Sequence, residues 1–485
     1  MMEFTTNPFD CHPFSGDALH EECGVFGIIG HVDAAAHCVL GLHALQHRGQ
    51  EAAGIVTTDG EQFHQHLAFG RVGENFSSGE VMESLKGSAA IGHNRYSTSG
   101  EKKNYNNIQP LVAEISIGNV ALAHNGNLTN AQTLRRGLIG EGTIFRTTMD
   151  TEVVVHLLAQ SRKGNITDRL IDALSKVEGG YSMVVLTKDK LIGIRDPLGI
   201  RPLMLGELDG AYILTSETCA LDIIGARHVR DVEPGECVVI RAGGQPESQR
   251  PFKKLAPRFC IFEYVYFSRP DSVICGKSVN DMRKLMGVEL AREKPVKADI
   301  VVPVPDSGVA AALGYAEESG IPFELGIIRN HYIGRTFIEP TEQIRHLGVK
   351  LKHNANRAII EGKRVILVDD SVVRGTTSKK IVEMVRQAGA KEVHLRISSP
   401  PTTDPCFYGV DTPSKDKLLA SSMGVGAMAK FMGADSLAFL SVNSLYRAVG
   451  KKTRNDKQPQ YCDACFTGDY PVKVRDKEMK AGCGG

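Results

Sequence analysis

Several signals that would place the chain in a special class are missing. It has almost no net charge: 57 Lys and Arg face 56 Asp and Glu, which leaves +1. That excludes the global basic field that holds nucleic acid or an anionic membrane. No uninterrupted apolar run approaches the roughly 18–20 residues that cross a bilayer. No lysine or arginine precedes Arg48, so the basic leader of a secretory signal and the arginines of a transit peptide are both absent. The expected location is the cytoplasm, with no membrane and no nucleic acid as partner. No internal repeat or low-complexity tract stands out.

What is present begins with length. A chain of 485 residues is too long for one core, and two domains are the natural expectation. It carries 11 cysteines. In a long chain of cytosolic character these are read as buried thiols, metal ligands or nucleophiles rather than a disulfide framework.

The first half, to about residue 250, has short apolar strand-like runs with Gly and Asn turns, such as "VALAHNGNLTN", and helical stretches such as "DTEVVVHLLAQS". This predicts strands layered with helices. "RAGGQPESQRPFKKLAPRF" then reads as a connection. In the second half, continuous apolar strands ("ADIVVPVPDSG", "GKRVILVDDS", "KEVHLRISSP") alternate with helices, which predicts a parallel sheet covered on both faces. Sites in such sheets lie beyond the carboxyl ends of the strands.

"VILVDDSVVRGTTSKK" ends a strand on Asp369 and Asp370 and runs through a short loop into a helix. Small residues with backbone N–H groups at a helix start cradle anions. Gly375 permits close approach, and Thr376, Thr377 and Ser378 add hydroxyls. The spacing is not that of a Walker A loop. Acids beside such a cradle suit a ligand with a phosphate at one end and hydroxyls in the middle. The stretch resembles the phosphoribosyl-pyrophosphate (PRPP) motif of type I phosphoribosyltransferases. The resemblance implies that Asp369 and Asp370 face the ribose hydroxyls and Mg²⁺, and that Arg374, Gly375, Thr376, Thr377 and Ser378 hold the 5′-phosphate. "VPDSG" resembles the family's pyrophosphate loop, with Asp306 beside the ligand and Ser307 near the metal. Residues 329–352 resemble its basic lid, which implies diphosphate contacts from Arg335, with Arg329, Lys350 and Lys352 as further candidates.

The N-terminal puzzle is "EECGVFGIIG", where Cys23 precedes glycines spaced three apart, a poor match to a dinucleotide fingerprint. Further on stand "LQHRGQEAAG", "IGHNRYSTSG", "AHNGNLTN" and "TTMDTE". Together these resemble the N-terminal-nucleophile glutaminase domain of class II glutamine amidotransferases, in which a cysteine uses its own free α-amine as base. By that resemblance Cys23 is the nucleophile, Asn125 and the amide of Gly126 form the oxyanion hole, Arg95 grips the glutamine carboxylate and Asp150 its amine. Arg48 lies in a loop expected to close on glutamine. A nucleophile at 23 needs a free amine, so residues 1–22 are expected to be a propeptide removed after Glu22.

Cys462 and Cys465 form a C-x₂-C pair whose spacing fits zinc, an iron–sulfur cluster or a redox site. "CIFEYVYFSRPDS", "PCFYGVD" and "CDACFTG" resemble the iron–sulfur subtype of the amidophosphoribosyltransferase family. That implies one [4Fe–4S] cluster on Cys260, Cys406, Cys462 and Cys465, with zinc as the alternative. The remaining cysteines are read as buried or incidental thiols.

The resemblance runs from Cys23 to about residue 470. It implies an α+β N-terminal-nucleophile glutaminase with αββα layers over 23–255, then an α/β type I phosphoribosyltransferase domain with a parallel sheet over 256–485. It implies ammonia from a Cys23 thioester passing to Mg²⁺-bound PRPP to give 5-phosphoribosylamine, with pyrophosphate and glutamate released, in the first step of purine synthesis. It also implies a homotetramer inhibited by purine nucleotides. Two other readings compete. A PRPP-sensing regulator leaves the glutaminase motifs without a use, and an asparagine or aminosugar synthase leaves "VILVDDSVVRGTTS" without one.

Overall fold

The computed structural model describes residues 23–96, 104–330 and 353–476. The expected propeptide, Arg335, Lys350 and Lys352 lie outside them. The first half is built on two antiparallel sheets. Among the described residues, one has seven strands, with β1 (Gly24–Ile29) paired on one side to β2 (Ala89–Arg95) and on the other to Ala211–Thr215. The other has six, with β3 (Gly118–Leu128) paired to β4 (Gly179–Leu186).

Alternation along β1 explains the layering. Val25 and Ile29 join Ile91, Ala121 and Val184 in the core between the sheets. Phe26 and Ile28 point the other way, onto Cys38 and Leu42 of the helix Ala34–Ala44. Helices Thr151–Gln160 and Ile166–Leu174 cover the far face of the second sheet through Val154 and Leu170. The layers are therefore αββα, as expected. Gly27 faces inward, where a Cβ would come 2.7 Å from Val184 Cγ1 of the opposing sheet. Any larger residue would push the sheets apart.

The second half opens with β5 (Phe259–Cys260), followed by the π-helical turn Glu263–Phe267. Its parallel sheet runs in the order β6 (Ile300–Pro303), β7 (Arg364–Asp369), β8 (Glu392–Ile397), β9 (Ser436–Phe439). Val301, Ile366 and Val368 face a core shared with the helices Val279–Glu293 and Val309–Ser319. Val302, Val365 and Leu367 face the helix Thr376–Gln387. Both faces are buried, which is why these strands read as continuous apolar runs. The short β10 (Tyr461–Cys462) returns near the end of the chain to pair in parallel with β5. The core on that side also takes in Ile200 and Met204 from the first half. No helix among the described residues is long and apolar enough to cross a membrane.

Candidate active sites

Cys23 is buried immediately before β1, and its thiol donates to the Tyr96 carbonyl at 3.4 Å. Burial pushes the thiol up to about 11, against the pull of the Arg95 charge; Asp150 and Glu51 push it further up. Arg95 and Asp150, expected at the two ends of glutamine, therefore both lie within electrostatic reach of the sulfur. No histidine nitrogen hydrogen-bonds to that thiol among the described residues. Asp150 accepts from the Leu128 backbone N–H at 2.9 Å, which ties it to the end of β3.

Asn125 lies in β3 with no exposed surface, and neither end of its carboxamide has a hydrogen-bond partner among the described residues. A buried amide left unsatisfied costs about 1–3 kcal/mol, and a ligand that accepts its N–H would recover that cost. Gly126 follows with φ +138°, and a Cβ there would lie 2.1 Å from the Gly180 carbonyl oxygen. Only glycine fits. His93 and His124 are buried nearby. Burial holds His93 down to about 3, so it is neutral, and its Nε2–H reaches the His124 carbonyl at 3.1 Å, bridging the two sheets behind the site.

Arg48 stands apart from this group. Its guanidinium is fully buried between Glu217, which Nε contacts, and Glu263, whose Oε2 lies 2.6 Å from Nη2. Arg201 contacts the other Glu263 oxygen at 2.6 Å. The residue expected in a loop closing on glutamine thus has its guanidinium held in a four-charge network between the halves. Its neighbour Gly49 lies on Arg95, where a Cβ would come 2.7 Å from the Arg95 carbonyl carbon. Sequence reading missed Glu217 and Glu263 because nothing local marks them.

At the carboxyl end of β7, Asp369 and Asp370 are buried side by side. The Ser307 hydroxyl donates to Asp369 at 3.5 Å, and the Asp370 N–H to the same oxygen at 3.0 Å. Burial raises both acids; the neighbouring Asp370 charge raises Asp369 further, while the Ser307 and Ser371 hydroxyls and the Arg283 charge moderate Asp370. A desolvated acid pair of this kind favours an added cation or hydroxyl donors. Gly375 has φ +77° at the start of the helix Thr376–Gln387, and a Cβ there would come 2.6 Å from Leu419 Cδ2. Thr376, Thr377 and Ser378 form that helix's first turn, and Arg374 precedes it with a buried Nε that has no partner among the described residues. The Asp306 loop closes beside β7: a Cβ on Gly308 would come 2.3 Å from the Val368 carbonyl oxygen. Arg329 pairs with Asp306. Arg283, which sequence reading missed, is anchored to the Tyr264, Tyr266 and Ser268 carbonyls.

Cys260, Cys406, Cys462 and Cys465 converge on the core at the foot of the second half. Cys260 is the register partner of Cys462, and Cys465 senses the charge of the other three. The Cys406 sulfur accepts the Tyr408 N–H at 3.3 Å. Among the described residues, no three His, Cys, Asp or Glu side chains are grouped so as to hold a metal ion.

A family model described as a glutamine amidotransferase domain matches residues 93–222, and one described as a phosphoribosyl transferase domain matches residues 277–398. The chain is 61% identical to an amidophosphoribosyltransferase of Rhizobium etli, over 96% of this chain and 95% of that one. It is 49% identical to the amidophosphoribosyltransferase of Bacillus subtilis, over 94% of this chain and 95% of that one. A solved structure, the glutamine PRPP amidotransferase from B. subtilis complexed with ADP and GMP, matches with a TM-score of 0.88 at 48% identity, covering 93% of this chain and 98% of that one.

Proposed function

Since the chain belongs to the amidophosphoribosyltransferase family, and so uses glutamine to convert PRPP to 5-phosphoribosylamine in purine synthesis, we propose how its residues divide that work. Cys23, freed of residues 1–22, attacks the glutamine carboxamide, with its own α-amine taking the thiol proton. Arg95 and Asp150 fix the two charged ends of glutamine. Asn125 and the Gly126 amide receive the developing oxyanion. The unpartnered, fully buried Asn125 carboxamide carries this assignment, because it is a preorganised donor awaiting an acceptor. Ammonia passes internally to the second site.

There Asp369 and Asp370 orient the ribose hydroxyls, while Arg374, Gly375 and the first turn after it hold the 5′-phosphate. Asp306, Ser307 and Arg335 flank the diphosphate. Mg²⁺, for which Ser307, Asp369 and Asp370 are suited, would neutralise charge on the departing pyrophosphate. Arg48 does its work at the interface, holding Gly49 against Arg95. Purine nucleotides act as feedback inhibitors, in keeping with the ADP and GMP in the B. subtilis complex.

The four converging cysteines support a [4Fe–4S] cluster of structural role. A cubane is wider than a single ion, so its thiolates stand further apart than the ligands of zinc. The Tyr408 N–H donates to the Cys406 sulfur, the kind of hydrogen bond that tunes such clusters. Anaerobically purified protein should contain four irons and four labile sulfides per chain; protein without them overturns the cluster.

The central test compares Cys23→Ala with the wild type. Glutamine-dependent pyrophosphate release should vanish while release driven by high ammonia survives. Loss of both in a folded variant contradicts the two-site scheme. Intact mass should begin at Cys23, and an active enzyme that retains residues 1–22 refutes processing.

A further inference from the structure

We infer that the loop 406–410 of the second half is part of the glutaminase machinery, with Gly409 and Asn127 as positioning residues that hold the oxyanion strand in register. The inference rests on the assignment of Asn125 and Gly126 above.

The contact is close and specific. Gly409 has φ +118°, and a Cβ on it would lie 2.9 Å from Gly126 Cα and 3.1 Å from the Gly126 carbonyl carbon. The Gly126 residue therefore packs against two backbones, that of Gly180 in β4 and that of Gly409 in the second half. The side-chain amide of Asn127, one residue further along β3, donates to the Phe407 carbonyl at 2.9 Å. Tyr408 covers Gly180, where a Cβ would come 3.1 Å from Tyr408 Cβ.

The loop is itself pinned. Tyr408 is 1% exposed, and its hydroxyl donates to the Val472 carbonyl at 2.7 Å and accepts the Val472 N–H at 3.0 Å. Three consecutive residues of the loop thus face three neighbouring positions of β3 and β4, and none of them is a candidate for touching substrate. An oxyanion donor must be aimed before the reaction, because its advantage comes from needing no reorganisation. A glycine with φ in the left-handed region gives the Gly126 peptide little intrinsic preference, so its orientation depends on what packs against it.

Gly409→Ala, Asn127→Ala and the reference Asn125→Ala should be assayed in the full-length enzyme. For Gly409→Ala and Asn127→Ala, kcat with glutamine should fall on the order of 10–100-fold. Their KM for glutamine should stay near wild type, and ammonia-driven synthesis should be retained. An aldehyde analogue of glutamine, which adds to the thiol as a tetrahedral adduct, should bind more weakly by the same factor. Should Gly409→Ala fail to fold, Asn127→Ala decides alone. The inference is overturned if kcat is unchanged, if KM rises instead of kcat falling, or if both activities decline together. If Asn125→Ala itself leaves kcat intact, the oxyanion assignment is what fails. If Asn125→Ala is impaired and Asn127→Ala is not, only the positioning role of the loop fails.

Discussion

Cys23 is poorly placed to act unaided. Its thiol is pushed up to about 11 by burial, so at neutral pH almost none is thiolate. A base is required, and an α-amine titrates near 7.7–8.0 in ordinary surroundings. The expected kcat/KM for glutamine therefore rises with pH through roughly that range; a rise deferred to the thiol's own value would remove the amine from the mechanism. The same site predicts a loss of about 10²–10³ in kcat for Asn125→Ala, the usual cost of an oxyanion donor. Asp369 gives the opposite kind of prediction. Burial and the adjacent Asp370 charge raise it, so the fold binds its proton more tightly than the unfolded chain does. It therefore opposes folding above its folded value, and the penalty fades as pH falls toward the unfolded value. Asp369→Asn should lose PRPP-dependent activity yet melt higher in metal-free buffer at neutral pH, by about 2–4 °C for each kcal/mol relieved. A lower melting temperature would show that the acid pair is not strained.

Elements decided how far the sequence could be read. The acids at the end of β7 and the glycine before the next helix lie within a few residues of one another, so this strand–turn–helix was legible as a local pattern. β1 is apolar throughout, so which of Val25, Phe26, Ile28 and Ile29 meets the facing sheet and which the helix was not legible. Contacts between distant elements were not legible. Nothing near Arg48 announces Glu263, which lies in another domain. The motif around Gly409 drew notice for its cysteine, although its glycine packs on Gly126. Gly375 tests the local reading. With φ +77° and 2.6 Å to Leu419 Cδ2, Gly375→Ala should raise the KM for PRPP and cost about 1 kcal/mol or more. Glutamine hydrolysis measured without PRPP should be untouched, and an unchanged KM would remove the phosphate role from this turn.

The two halves act as one body because charges and hydrogen bonds cross between them. Arg48, Arg201, Glu217 and Glu263 are all fully buried, and removing one partner from such a set costs about 3–5 kcal/mol. Glu263→Gln should therefore destabilise the whole chain in denaturant titrations; a melt like that of wild type would mean the network is hydrated. Burial would raise Glu217 and Glu263, but the arginines, with His47 beside Glu217, prevail and hold both below the usual range. Their stabilisation is present above the ordinary unfolded value of about 4.3 and is lost as pH falls through their folded values. Acid should thus loosen the interface while easing the strain at Asp369. Asp476, the last described residue, accepts the Gln132 and Thr133 N–H groups at 2.7 and 3.0 Å, so a residue of the second half caps a helix of the first. The pairing of β5 with β10 has its own consequence during synthesis. Cys260 leaves the ribosome long before Cys462, by on the order of 10–40 s at ordinary elongation rates. In that interval the foot of the second half stays open, and the loop 406–410 has no Val472 to anchor it. A message cut short near its end would therefore weaken both halves, leaving β5 unpaired and the oxyanion strand without its support.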